Sequence, residues 1–146
     1  MWKSVKYFKF EYLVLKKLSQ INTNMKIFNQ IKDSFTSTEF EVEITMKVTD
    51  LTKQFKNKFG LSLRVYKGKK LADDGRMTLK TLDQRTTQTS VNFDSNKMKI
   101  KATQKVLEVE NLFLENFGIV VQIADIENKK LLADDITLGD AKRLKL

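Results

Sequence analysis

The chain has 146 residues, of which 41% are hydrophobic and 31% charged, with ten Phe; this is enough apolar material for a packed core and argues against disorder. It contains no Cys, His or Pro, which excludes disulfides, thiol nucleophiles, thiolate zinc sites, histidine bases and proline-rich linkers. The formal charge of +9 is unevenly spread: residues 1–35 hold seven basic and two acidic groups, residues 36–91 eleven and seven, and residues 92–146 nine and nine. A basic excess confined to the first part of a chain either keeps a protein soluble or forms a face for phosphates.

Residues 1–24 have no counterpart further on. The stretch VKYFKFEYLVLKKL alternates at first and then runs apolar, and its longest apolar run, Leu13-Val14-Leu15, is far too short to span a bilayer. Trp2, Tyr7, Phe8, Phe10 and Tyr12 interleave with Lys3, Lys6 and Lys9. Burial is the expected use of that run, and a partner or membrane surface is the other. The segment reads as an appended helix or strand, or as an extension upstream of a start at Met25. No small-residue cleavage site follows a clean apolar stretch, so a cytoplasmic protein is expected. Residues 25–37 follow as an amphipathic helix, with Ile27, Ile31 and Phe35 four apart and Asn24 as a candidate cap.

The first unit spans residues 38–83. FEVEITMKV alternates at period two and predicts a strand with Phe40, Val42, Ile44 and Met46 on one face. Val48, Leu51, Phe55 and Phe59, at spacings of three and four, predict a helix that Thr49 or Asp50 caps and Gly60 ends. Leu61, Leu63 and Val65 alternate as a second strand, and a turn at YKGKK leads to a short segment carrying Leu71.

Residues 84–96 are polar and predict a linker or mobile loop before the second unit, residues 97–146. There the pattern returns at a constant offset of 58: Val48 meets Val106, Phe55 Phe113, Phe59 Phe117, Gly60 Gly118, Leu63 Val121 and Val65 Ile123. The register then gains three residues, so that Leu71-Ala72-Asp73-Asp74 meets Leu132-Ala133-Asp134-Asp135. That is the signature of a duplicated unit with an insertion in a turn.

LRVYKGKKLADDGRMTLKTL resembles the ubiquitin-like domains of the β-grasp fold, through Val65, Tyr66, Gly68, Lys69, Leu71, Asp73, Gly75, Arg76, Thr78 and Leu79. The resemblance is strongest over residues 40–82 and fainter in the second unit, which lacks the turn Gly and the Asp-Gly-Arg. As a duplication, the Phe-Gly and Ala-Asp-Asp pattern also resembles small bacterial proteins. Two departures matter. The chain ends AKRLKL, so carboxyl-terminal conjugation through Gly-Gly is not implied. One strand precedes each helix where the family has a hairpin, which suggests that the units complete each other's sheet. Alternation also points Val65 inward with Leu61 and Leu63, so the family's exposed docking position is not carried over.

Asp73-Asp74 and Asp134-Asp135 resemble an oxygen-ligand pair for Mg²⁺ or Ca²⁺, but Asp is favoured in turns for its own backbone bonds, and these pairs are read as turn residues. Gly68-Lys69-Lys70 lacks the flanking residues of a nucleotide-binding loop. No catalytic residue, metal, cofactor or small-molecule substrate is therefore expected. The densest basic and aromatic cluster is Arg64, Tyr66, Lys67, Lys69, Lys70 and Arg76, where a base would stack on Tyr66 beside phosphate-neutralising lysines.

The sequence thus predicts an α+β fold: a tandem pseudo-repeat of two β-grasp-like strand-helix-strand units in one compact domain, preceded by an N-terminal helix. Its predicted role is non-catalytic protein binding, as an adaptor or as an inhibitor encoded by a phage or mobile element. The alternative is binding of RNA or single-stranded DNA through the basic first unit. A membrane partner is not expected.

Overall fold

Glu39, Glu41 and Glu43 alternate with Phe40 and Val42, and in the computed structural model this stretch is strand β1 (Glu39–Glu43), with Phe40 and Val42 buried. The structure describes residues 38–72, 74–85 and 92–146, together with Lys17, Gln20 and Asn24. Thr36–Leu146 form one compact unit and Met1–Phe35 another. Lys17, Gln20 and Asn24 are helical, so Asn24 lies within a helix and is not the expected cap. The helix expected over 25–37 and the aromatic run from Trp2 to Tyr12 lie outside the described residues.

Past β1 come helix α1 (Val48–Phe59), strands β2 (Ser62–Lys67) and β3 (Lys70–Leu71), and the short helix α2 (Leu79–Leu82). Strand β4 (Lys97–Lys101), helix α3 (Val106–Phe117), strand β5 (Val121–Ala124) and helix α4 (Leu138–Arg143) complete the unit. Helix α1 is not capped as expected. The N-caps are Lys47 and Lys105, with Thr49 and Asp50 already inside the first turn. The Thr49 hydroxyl instead donates to the Gly75 carbonyl, 2.9 Å away. At α3 the Glu108 carboxylate accepts the Lys105 N–H at 2.8 Å. The C-caps are as expected, with Gly60 at φ 65° and Gly118 at φ 63° in the left-handed region.

These elements make two small antiparallel sheets and four helices, an α+β architecture. β1 pairs with β4, and β3-β2-β5 form the second sheet. Both long pairings join the first half of the unit to the second. β1 and β4 are centred on Glu41 opposite Lys99, and β2 and β5, once the bond from the Tyr66 N–H to the Val120 carbonyl is included, on Arg64 opposite Gln122. In each case the two residues stand 58 apart in the chain. Each sheet therefore takes strands from both halves of the unit.

One hydrophobic core lies between sheets and helices. Phe55, Phe59, Phe113 and Phe117 are fully buried together with Leu51, Leu61, Ile119 and Ile123. The ring centroids of Phe55 and Phe59 are 5.0 Å apart, and those of Phe113 and Phe117 6.4 Å, both in inclined geometries that aromatic quadrupoles favour. Each buried ring contributes about 1.5–3 kcal/mol. Val65 is buried with Leu61 and Leu63, as the alternation predicts.

Hydrogen bonds correct the register expected downstream. Ala72 N–H donates to Val65, and Leu132 N–H to Ile123, at 2.9 and 3.0 Å. Ala72 therefore corresponds to Leu132 and not to Ala133, and the turn gains two residues, not three. Further on, Thr49 N–H donates to Gly75 as Leu107 N–H does to Asp134. Asp134 thus takes the place of Gly75, and the Ala-Asp-Asp strings that match by letter do not match by position. Leu71 and Leu131, both exposed, are the counterparts.

Candidate binding face

β2 positions most of the predicted cluster. Because Leu63 and Val65 face the core, Arg64 and Tyr66 stand on the opposite side of the sheet. Neither is idle. The Arg64 guanidinium donates from Nε to Asn128 Oδ1 at 2.7 Å and from Nη2 to the Asn128 carbonyl at 2.8 Å. The Tyr66 hydroxyl donates to Gln122 Oε1 on β5 at 2.6 Å. A phenol held this way is a fixed, half-buried ring rather than a free stacking platform.

The rest of the cluster divides. Lys67, Lys69 and Lys70 are exposed around the β2–β3 turn, with no acidic partner among the described residues. Arg76 is elsewhere: it follows Gly75 in the turn held against Thr49, and its Nε lies 3.4 Å from Asp74. The structure therefore brings Arg64, Tyr66, Lys67, Lys69 and Lys70 onto one strand and its turn, and leaves Arg76 at the start of α1.

Alongside Tyr66 lie two apolar residues that the sequence reading did not include. Leu71 pairs directly with Tyr66 across β3. On the other side, the Tyr66 N–H donates to the Val120 carbonyl at 3.0 Å, extending the β2–β5 ladder by one residue. Side chains opposite each other in a ladder share a face. Leu71 and Val120 are 47% and 48% exposed, so a row Leu71, Tyr66, Val120 crosses the outer side of the sheet. The signal for it was present, since Val120 sits between the inward Ile119 and Val121.

At the far end of β5 a tight turn is built by Asp125, whose carboxylate accepts the Lys129 and Lys130 N–H groups at 2.8 and 3.0 Å. Those backbone bonds, Lys129's first, hold its pKa below the ordinary value. On α3, Glu110 accepts the Ile123 N–H at 3.0 Å. Burial is the main cause raising its pKa, and the charge of Asp134 adds to it.

Asp134 and Asp135 are exposed, and the Asp134 carbonyl anchors the first turn of α3. Asp73 lies outside the described residues, and no group of three acidic side chains able to hold a metal ion occurs among those described.

The expected linker, by contrast, contains the one buried cation among the described residues, Arg85. Its Nη1 donates to the carbonyls of Asn92, Phe93, Ser95 and Asn116 at 3.0, 3.0, 2.7 and 3.2 Å, while Nη2 pairs with Asp83 at 2.7 Å. Residues 83–85 and 92–96 are thus held in place by hydrogen bonds, and residues 86–91 of the expected linker lie outside the described residues. Among the described residues, no helix is long and apolar enough to cross a membrane. Comparison of the chain with protein-family models, with curated proteins and with solved structures gave no match.

Proposed function

We propose that residues 38–146 are two copies of one β-grasp-like unit that lend strands to each other, and that the outer side of the β3-β2-β5 sheet is a protein-docking face. The strand pairings centred on positions 58 apart support the first part. A single observation carries the second: the exposed row Leu71, Tyr66, Val120, with the ring of Tyr66 fixed by Gln122. A rigid aromatic between apolar neighbours presents contact area at little entropic cost, which is the composition of interface hot spots. Lys67, Lys69 and Lys70 form a polar rim at one end. The reading is non-catalytic, with the chain acting as an adaptor or inhibitor.

The test uses the full chain carrying a photo-crosslinker at Val120, with Leu71→Asp and Tyr66→Ala as variants whose fold is checked by circular dichroism. A docking module crosslinks one defined protein in 0.3 M salt, and each variant loses it. Crosslinking that is diffuse, or unchanged in the variants, overturns the reading.

The three lysines of the β2–β3 turn, without an acidic partner among the described residues, favour a second reading, binding of single-stranded RNA or DNA. In that case affinity falls steeply as salt rises, and Lys69→Glu removes it. Arg64→Glu serves less well as a control, because it also breaks the bonds to Asn128.

A further inference from the structure

A groove of about 390 Å³ runs between α1 and the turn after β5. Thr52, Lys53 and Lys56 line it from α1, Ser62 and Leu63 from β2, and Asn128 from the turn. Lys53 and Lys56 are one turn apart on one helix face and exposed, with no acidic partner among the described residues. Asn128 adds a directed donor: its Oδ1 is engaged by Arg64, which leaves its NH₂ group to donate.

The second half provides an internal control. At the positions 58 further on, Thr52, Lys53 and Lys56 are replaced by Glu110, Asn111 and Leu114. α3 has the same length and the same buried stripe as α1 but contains no lysine. The helix therefore does not need these lysines in order to pack. Placed side by side they repel, which leaves their common face open to an anion.

The geometry points to this groove as a phosphate-binding site, in which Lys53 and Lys56 neutralise the charge and Asn128 orients one oxygen. Lysine ammoniums suit phosphate as point charges that need no fixed fork. The site lies at the opposite end of β2 from the lysine turn and shares no residue with the docking row, so each reading fails or holds on its own. The phosphate has two possible sources, a small free phosphate or the backbone of a nucleic acid.

The experiment is a titration of the isotope-labelled full chain, followed by amide resonances, with inorganic pyrophosphate in one arm and a ten-residue oligothymidylate in the other. Perturbations are expected at residues 52–56, 62 and 128. Lys53→Gln/Lys56→Gln weakens binding at least tenfold, while Lys99→Gln/Lys105→Gln, which removes the same charge elsewhere, changes it less than twofold. Tighter binding of the oligonucleotide assigns the site to a nucleic-acid backbone, and equal or tighter binding of pyrophosphate assigns it to a free phosphate. Equal loss in both double variants, perturbations away from the groove, or no binding of either probe at low salt overturns the site.

Discussion

The ammonium of Lys142 donates to the backbone carbonyl of Lys58 at 2.9 Å, across 84 positions of chain. Lys58 stands in the last turn of α1, where unpaired carbonyls favour a cation. The relation recurs with the halves exchanged, since Arg85 reaches the carbonyl of Asn116 in the last turn of α3. Each half closes the principal helix of the other.

Replacing Lys142 by Met keeps the aliphatic stem and removes the charge. The expected loss is about 0.5–1 kcal/mol in urea unfolding, and it shrinks as sodium chloride is raised from 0.05 to 1 M. A loss independent of salt would place the contribution in the stem instead.

Arg85→Met leaves Asp83 and four carbonyls without their common donor, and breaking such a buried pair costs about 3–5 kcal/mol. Arg85→Lys restores the charge but not the planar fork, so most of that loss persists. Urea midpoints of the three proteins give the comparison directly.

Gly118 and Gly60 share a left-handed backbone but not their surroundings. A Cβ at Gly118 would meet the backbone nitrogen of Arg85 at 2.7 Å, whereas at Gly60 the nearest atom is Lys142 Cγ at 3.5 Å. Gly60→Ala is expected to cost about 1–2 kcal/mol from backbone conformation alone. Gly118→Ala costs more, and it loosens the Arg85 cluster, which proteolysis near residues 84–95 reports.

Glu110 makes a pH-dependent contribution. Its pKa is raised in the folded protein above the ordinary 4.5, mainly by burial. The stability it favours is therefore fully present below the unfolded pKa and is lost as pH rises through the folded one. Glu110→Gln keeps an oxygen for the Ile123 N–H and removes the charge. At pH 7 the variant is expected to be the more stable, by less than ~1 kcal/mol for this half-exposed group, with the difference gone near pH 3. Thermal unfolding at the two pH values decides it, and a variant less stable at pH 7 would contradict the sign.

The faces of strands and helices were legible because periods of two and 3.6 report directly which side is buried. Val65 turned inward against the family resemblance for that reason. Register was less legible. The string Leu-Ala-Asp-Asp occurs twice, yet the ladder is set by which N–H meets which carbonyl, and those bonds place Asp134 opposite the role of Gly75. Arg85 was not legible at all. Four of its partners are backbone carbonyls, which every residue carries, so nothing in DQRTTQTSVNFDSNK distinguishes a packed knot from a tether. In the binding face, the basic residues were visible as a cluster, but the separation of Arg76 from it, and the alignment of Leu71 and Val120 beside Tyr66, depend on pairings that cross from one half to the other.

Those crossing pairings also set the order of events during synthesis. β1 can find its partner only once β4 has been made, and β2 only once β5 has. Until then the emerging first half holds Phe40, Val42, Leu63 and Val65 with no second sheet layer to cover them. Loop closure over more than fifty residues must precede most of the sheet contacts, a demand that slows folding and lengthens exposure of sticky strands. The glutamates of β1 and the lysines around β2 then act as guards, keeping unpaired edges charged while the chain waits for its other half.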